Sequence, residues 1–393
     1  MGRTGSNGSS KYQCQVLKKK VQDICEDESA GAVPFLFEPL ALHLLKEGYR
    51  VRAVVRSHFK ERDLQRRPTI QATNPGPRLS FAIVPSIMVD GAYDSAMEGV
   101  TNVIHCASPV ATGAKVVYAN DDGTFFIRPA VEGTLNILRA AAKVPTVARV
   151  VVTSSLAALI PFQDLSRPGG APGGARAYTP LDRAPLEPAP YRSDVAAYVA
   201  SKISALQAAD AWVTANAPHF DLVHLHPGFV LGPHHTATTL PRALQGGNTL
   251  VMAALRAAGL RRRRPRGSTH AAVSVHVDDL AKVHVRALHQ GTVPGGCGYI
   301  VARPAAWEDV PRIACARFPD VFGVSPPAGP AGPIGNVTAK GLNIDDEGTQ
   351  DAFPRIQFAG FEEQVVSVIQ QYLDLADEAD MAALREMARR IER

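Results

Sequence analysis

The sequence predicts an α/β protein: a doubly wound parallel sheet with a smaller C-terminal region. Three stretches carry that expectation. Arg149-Val150-Val151-Val152-Thr153-Ser154-Ser155 is an apolar β-branched run ending in small hydroxyls, the pattern of a buried parallel strand that delivers a Ser at its carboxyl end. Val195 to Val213 is a helical run that carries Tyr198 and Lys202. Leu222-Val223-His224-Leu225-His226 is a further strand, which breaks into the turn Pro227-Gly228-Phe229-Val230-Leu231-Gly232-Pro233. Ligands of open α/β sheets sit outside the carboxyl ends of the strands, where these hydroxyls and this turn fall.

Tyr198 and Lys202 are four residues apart. On a helix they share a face, so phenol and ammonium point the same way. A Lys⁺ beside a phenol favours the phenolate and lowers its pKa from ~10. Such a Tyr can donate or accept a proton near neutral pH. Alone the spacing is weak, because it arises by chance in many exposed helices. Taken in order, strand-TSS, YxxxK and strand-PGxVxGP resemble the extended short-chain dehydrogenase/reductase superfamily. Within it, the chain is most similar to the branch of dihydroflavonol reductases, cinnamoyl-CoA reductases and NADPH-dependent aldehyde and ketone reductases. The resemblance runs from about Ala41 to Leu375 and implies a Rossmann-type sheet with a C-terminal substrate-binding region.

Composition sets bounds on other functions. A net charge of +5 over 393 residues does not indicate a nucleic-acid binder. Five scattered cysteines, odd in number, argue against a disulfide framework and for a reducing compartment, so the expected location is cytoplasmic. No C-x-x-C pair suggests zinc, and no apolar run of ~18 residues suggests a membrane span. The expected partners are a small-molecule carbonyl substrate and at most a second copy: no nucleic acid, no membrane, a monomer or homodimer.

In chain order, residues 1–38 read as an irregular segment, with a Lys18-Lys19-Lys20 run and an acidic Glu26-Asp27-Glu28 run. A dinucleotide-binding domain opens on an apolar strand, a glycine-rich turn, and a helix whose N-terminus holds the pyrophosphate. Pro39 to Gly48 supplies the helix, with a terminal Gly as its stop. The strand and the turn are missing. Thr4-Gly5-Ser6-Asn7-Gly8 resembles half of the family's T-G-x-x-G, about thirty residues too early. Either the fingerprint is interrupted or the pair of glycines is a coincidence in a tail. If the strand is absent, the strand at Tyr49–Ser57 lacks its inner neighbour.

That strand ends in Arg56, with Lys60 beyond it. A cation here accommodates a 2′-phosphate where NAD-preferring sites place an acid. The two residues match the phosphate-holding pair of the NADPH-dependent reductases, so NADP is expected over NAD. Leu79–Pro85 reads as the third strand. The family's acid near adenine is replaced by Ser86-Ile87. Asn102–His105 is the fourth strand, and its exit matches the family's H-x-A-S-P, with Ala107 and Ser108 passing the cofactor. His105 reads as a packed strand-end residue, since no ligand spacing surrounds it. Arg128–Ala142 reads as an amphipathic helix with Val131, Leu135, Leu138 and Ala142 inward.

Ser166–Pro190 is a Pro/Gly-rich insertion, including Pro168–Gly174, near the mouth of the site. Arg261–Arg266 reads as a solvated basic loop, and Ser325–Asn336 as a Pro/Gly loop. Ser274–Ala281 matches the family's V-H-V-D-D-V-A, with Asp278 and Asp279 as helix-start acids first and site candidates second. Glu362–Leu375 reads as a closing helix. The domains expected are 39–233 for the cofactor and 234–393 for the substrate, with 271–303 returning to the first.

The resemblance implies hydride transfer from nicotinamide C4 to a carbonyl carbon. Tyr198 would protonate the oxygen, Lys202 would tune Tyr198 and hold the nicotinamide ribose, and Ser155 would hydrogen-bond the carbonyl. Thr153 and Ser154 would lie beside the cofactor, and Pro227, Gly228 and Val230 would meet its carboxamide through the backbone. No metal is expected. Two alternatives stay open: an inactive relative, because of the broken glycine turn, and an NAD-dependent sugar-nucleotide epimerase or hydroxysteroid-type dehydrogenase, against which Arg56 argues.

Overall fold

The computed structural model describes residues 20–24 as backbone, and 36–108, 125–166, 176–191, 193–258, 273–323 and 342–392. Seven strands form one sheet: β1 (Lys20–Ile24), β2 (Arg50–Val55), β3 (Leu79–Ile83), β4 (Asn102–His105), β5 (Arg149–Thr153), β6 (Asp221–Pro227) and β9 (Cys297–Val301). Their order is β3-β2-β1-β4-β5-β6-β9, and every neighbouring pair is parallel. This is the expected doubly wound Rossmann-type sheet. The chain reverses its direction of travel between β1 and β4, the switch point where a ligand crevice opens.

β4 and β5 are buried at every residue, because helices cover both faces. Val51, Ala53, Val55, Ile104, Val151 and Val223 face the helices Phe37–Lys46 and Val277–Ala287. Val54, Val103, Val150, Val152 and Leu222 face the helices Ile127–Ala142 and Asp194–Asn216.

The N-terminal expectation is corrected here. Lys20–Ile24 is the central strand, in register with β2 on one side and β4 on the other. β2 therefore has both neighbours. A central parallel strand usually reads as a continuous apolar run. Lys20-Val21-Gln22-Asp23-Ile24 carries only Val21 and Ile24 as apolar residues, so it gives no such signal. Its place comes from backbone pairing on both edges. Thr4–Gly8 and the connection 25–35 lie outside the described residues.

The first helix stops as its sequence implies. Gly48 takes φ +84°, its N–H donates to Leu45 O at 3.1 Å, and Tyr49 N–H donates to Leu44 O at 3.0 Å. That pair of bonds is the Schellman stop, which a glycine accepts without strain.

The Ile127–Ala142 helix turns a different face inward from the one expected. Leu138 is buried, but Val131 and Leu135 are half-buried and Ala142 is exposed. The inner face is Ala130, Gly133, Thr134, Ile137, Leu138 and Ala141. Gly133 and Asn136 draw it round. A Cβ on Gly133 would stand 2.5 Å from Ile87 Cδ1, and Asn136 Nδ2 donates to Ile87 O at 2.8 Å and Val89 O at 3.2 Å. A hydrophobic stripe counts neither residue, yet both fix the docking.

One buried cation braces the sheet. Arg149 is 1% exposed at the start of β5. Its Nε and Nη2 each donate to the Asp221 carboxylate at 2.7 Å. Its Nη1 donates to Ala287 O at 2.6 Å and Val293 O at 2.9 Å. The fork ties β5, the start of β6 and the end of the Val277–Ala287 helix into one unit.

Beyond β6 the chain builds a second sheet from β7 (Phe229–Leu231), β8 (Val273–His276) and β10 (Arg303–Pro304), in the order β10-β8-β7. The separate core below it gathers Leu231, Leu255, Trp307, Phe322 and Ile369. The closing helix is Phe361–Leu375, and Glu378–Glu392 follows it as a further helix that was not expected. The Pro168–Gly174, Arg261–Arg266 and Ser325–Asn336 stretches lie outside the described residues. Among the described residues, no helix is long and apolar enough to cross a membrane, and no group of His, Cys, Asp and Glu could hold a metal ion.

Candidate active site

The site forms where the carboxyl ends of β4, β5 and β6 meet the Asp194–Asn216 helix. Ser193 begins that helix, its side chain accepting from Ala196 N–H at 3.2 Å. This fixes the register that turns Tyr198 and Lys202 towards the sheet. Lys202 Nζ lies 5.6 Å from the Tyr198 ring centroid, within reach of the ring's negative face. Lys202 is only 7% exposed.

β5 delivers the hydroxyls. Thr153 Oγ1 lies 2.7 Å from His284 Nε2, and His284 Nδ1 lies 2.8 Å from Leu280 O. A carbonyl can only accept, so Nδ1 carries the proton and Thr153 donates to Nε2. Ser154 N–H donates to Leu225 O at 2.7 Å, which holds the strand exit against β6. Ser155 has left the strand. Its Oγ accepts from Ala157 N–H at 3.1 Å, starting a short 3₁₀ turn, and its side chain also hydrogen-bonds Tyr198. Ser155, Tyr198 and Lys202 thus converge from two elements.

The electrostatics differ from the simple expectation for a Tyr–Lys pair. Burial pushes the Tyr198 phenol up to about 12, and the Ser155 hydrogen bond opposes this in part. Burial pushes Lys202 down to about 8, with Cys106 acting the other way. Desolvation outweighs the Ser155 hydrogen bond, so the Tyr198 phenol is protonated at neutral pH.

The remaining residues sit around this centre. Ala107 and Ser108 form the buried exit of β4. Pro227 ends β6, and Val230 is buried in β7 opposite Val275. Between them, Gly228 donates its N–H to Val301 O at 3.2 Å, and a Cβ there would stand 3.0 Å from Val273 O. The backbone passes where a side chain would not fit. Arg56 follows β2, and Lys60 lies in the first turn of the helix His58–Gln65, capped by Ser57. Both stand at the carboxyl edge of β2, next to the switch point.

The nicotinamide end of a dinucleotide fits these residues: small side chains at Ala107, Ser108 and Ser154, a close backbone at Gly228, and the cation of Lys202. The pyrophosphate end fits less well. The Phe37–Lys46 helix starts without a side-chain cap, and Pro39 removes one donor from its first turn. Glu38, 3% exposed, adds a carboxyl there; its Oε1 accepts from Thr69, while its Oε2 has no partner.

The sequence did not point to His284, His224 or the Arg149–Asp221 pair. Their only signal is an ionisable residue inside an otherwise apolar run. Asp278 and Asp279 serve structure: Asp278 pairs with His43 at 2.7 Å, and Asp279 Oδ2 accepts from Ala359 N–H at 2.7 Å.

Fold and site define a Rossmann-type protein with a Ser–Tyr–Lys constellation at its ligand edge. The chain belongs to the NAD dependent epimerase/dehydratase family, whose profile matches residues 38–299. It is 32% identical over 358 residues to the ketoreductase CTB6 of Cercospora nicotianae, covering 88% of this chain and 94% of that one. It is 38% identical over 267 residues to the epimerase/dehydratase ALT6 of Alternaria alternata, covering 66% and 71%. Its fold matches the crystal structure of yeast methylglyoxal/isovaleraldehyde reductase Gre2 complexed with NADPH, with a TM-score of 0.69 at 23% identity, over 90% of this chain and 98% of that one.

Proposed function

We propose that this protein is an NADPH-dependent carbonyl reductase that converts an aldehyde or ketone to an alcohol. The observation that carries this is the hydrogen bond between the Ser155 side chain and Tyr198, with Lys202 against the same ring. The ketoreductase and methylglyoxal reductase relatives favour the same chemistry. The bound cofactor would supply the hydride. Ser155 donates a hydrogen bond to the carbonyl oxygen, and Tyr198 gives its proton to that oxygen as charge develops. Lys202 stabilises the phenolate left behind and holds the nicotinamide ribose. Thr153, Ser154, Ala107 and Ser108 line the cofactor, and Pro227, Gly228 and Val230 present backbone to the carboxamide. Arg56 and Lys60 hold the 2′-phosphate.

In this assignment β1 and residues 39–233 bind the cofactor and 234–393 the substrate, with 271–303 returning to the first. A monomer or homodimer in the cytoplasm, with Cys106, Cys297 and Cys315 outside any disulfide, belongs with it.

The test is a panel of aliphatic aldehydes, α-dicarbonyls, aryl ketones and flavanonols, followed by NADPH absorbance. Tyr198→Phe should lower turnover by at least ~10² while NADPH binding survives. Near-normal turnover would assign the acid elsewhere. Glu38 and Pro39 favour one alternative, a relative whose cofactor binding is impaired; full-length protein that fails to bind NADPH would support it. An NAD-dependent epimerase or hydroxysteroid-type dehydrogenase is disfavoured by Arg56.

A further inference from the structure

The chain that leaves β7 is held by two side-chain amides. Asn248 is 0% exposed at the start of the helix Asn248–Ala258. Its Oδ1 accepts from Gly232 N–H at 3.1 Å, and its Nδ2 donates to Gly232 O at 2.7 Å and to Ala243 O at 2.9 Å. Gln371, in the helix Phe361–Leu375, does the same two residues further on. Its Oε1 accepts from His234 N–H at 2.8 Å, and its Nε2 donates to His234 O at 2.9 Å. In an antiparallel ladder a hydrogen-bonded residue exchanges both its N–H and its C=O with the residue opposite. Each amide reproduces one such rung. Pairing with β8 stops at Leu231, yet residues 232 and 234 are still gripped at both backbone groups.

Buried backbone groups need partners, which explains why something polar stands there. It does not explain how close the helix comes. A Cβ on Gly247 would stand 2.3 Å from Val230 O, so only a glycine lets the Asn248–Ala258 helix begin against that carbonyl. Leu231 then packs in one core with Val251 and Leu255 of that helix and with Val365 and Ile369 of the Phe361–Leu375 helix. Gly228 and Val230, whose backbone is assigned to the nicotinamide carboxamide, precede the grip by two to four residues. That backbone is therefore fixed from the substrate side of the molecule.

We propose that Asn248 and Gln371 are positioning residues for the cofactor. Through Gly232 and His234 they hold the Gly228–Val230 backbone where it meets the carboxamide, so the helices that build the substrate region also set the place of the nicotinamide. Neither side chain touches the reacting atoms. An amide suits the task because it presents a donor and an acceptor side by side. A carboxylate of the same shape only accepts, and would face Gly232 O and Ala243 O without a proton to give. The proposal rests on the cofactor assignment above.

The test titrates NADPH and 2′-phospho-ADP-ribose, the same ligand without its nicotinamide, into wild type, Asn248→Asp and Gln371→Glu. The fragment reports the adenosine end near Arg56, and the difference between the two ligands reports the nicotinamide end. In each variant NADPH should weaken about tenfold and the fragment by less than about twofold, since only contacts at the turn are lost. With a carbonyl that wild type reduces, kcat should fall at least ~10-fold with the carbonyl KM unchanged, because a small misplacement of the nicotinamide slows hydride transfer. An unchanged kcat overturns the positioning role. Merely structural amides would weaken both ligands alike or neither. Either result, in a wild type that binds NADPH more tightly than the fragment, overturns the proposal and leaves the cofactor assignment standing. A wild type that binds NADPH no better than the fragment overturns the placement of the nicotinamide, and the proposal with it. Should Asn248→Asp not fold, Gln371→Glu, at a half-buried side chain, decides alone.

Discussion

Lowering the pH from 7 to 5 should remove much of the folding stability, because several histidines are buried uncharged. Burial pushes His105 and His234 down to about 3, and His224 and His284 down to about 4. His226 is lowered too. In the unfolded chain each titrates near 6.5. These folded pKa values are depressed, so below 6.5 the unfolded chain binds more protons than the folded one. The stabilisation is complete above about 6.5 and is lost as pH falls towards 3–4, where the folded rings protonate as well. Each group costs about 1.4 kcal/mol per pH unit in that window. The four with values act together, so the slope approaches roughly 5–6 kcal/mol per unit, against a total stability of about 5–15 kcal/mol for a folded domain. Carboxylates act elsewhere on the scale. Asp278 is held low chiefly by its hydrogen bond to His43, so its contribution is lost only as pH falls below its ordinary value of 3.8. The assay is urea unfolding at pH 7, 6 and 5, where the midpoint should fall with little change in slope m. His234→Asn should flatten the pH dependence by about 1.4 kcal/mol per unit. Equal stability at pH 7 and pH 5 would mean that these rings are hydrated or already charged in the folded protein, and would refute the reasoning.

Four further outcomes are expected. Arg56→Asp should weaken NADPH at least ~10-fold more than NADH, since it replaces a charged hydrogen-bond donor with a like charge; direct titration of both cofactors checks this, and an unchanged preference would remove Arg56 from the phosphate. Arg149→Met should cost about 3–5 kcal/mol in urea unfolding, because Asp221 and the carbonyls of Ala287 and Val293 lose their donor together; a loss under ~1 kcal/mol would show that water replaces the guanidinium. Deleting residues 1–24 should abolish folding, because β1 lies between β2 and β4, whereas replacing residues 25–35 with a TGxxGxxG turn should tighten NADPH binding; a soluble deletion variant, or a chimera with unchanged affinity, would contradict these.

Much of the sheet was legible in residue order. β4, β5 and β6 announce themselves as short β-branched or apolar runs, since a strand buried on both faces has no solvent side to carry a polar period. Gly48 and the Pro227-Gly228 turn mark where elements stop. Ser155, Tyr198 and Lys202 were legible because strand-end hydroxyls and a YxxxK helix form a local pattern, and local pattern is what a one-dimensional reading detects. β1 was not legible. Two apolar residues in five carry no strand signal, and only ladders to β2 and β4 make that segment a strand. The inner face of the Ile127–Ala142 helix was set by Gly133 and Asn136 meeting the 87–89 loop, a contact about fifty residues away.

By itself, the sequence determined the fold class and set Ser155, Tyr198 and Lys202 at the carboxyl edge of the sheet, because hydrophobic period and helical spacing are properties of neighbours along the chain. The tertiary structure decided how those groups are charged. Burial outweighs the Ser155 hydrogen bond and leaves the Tyr198 phenol protonated, and His105 and His224 come together in the lining of one pocket. Desolvation and proximity depend on what folds over a residue, and residues far apart in sequence supply that cover.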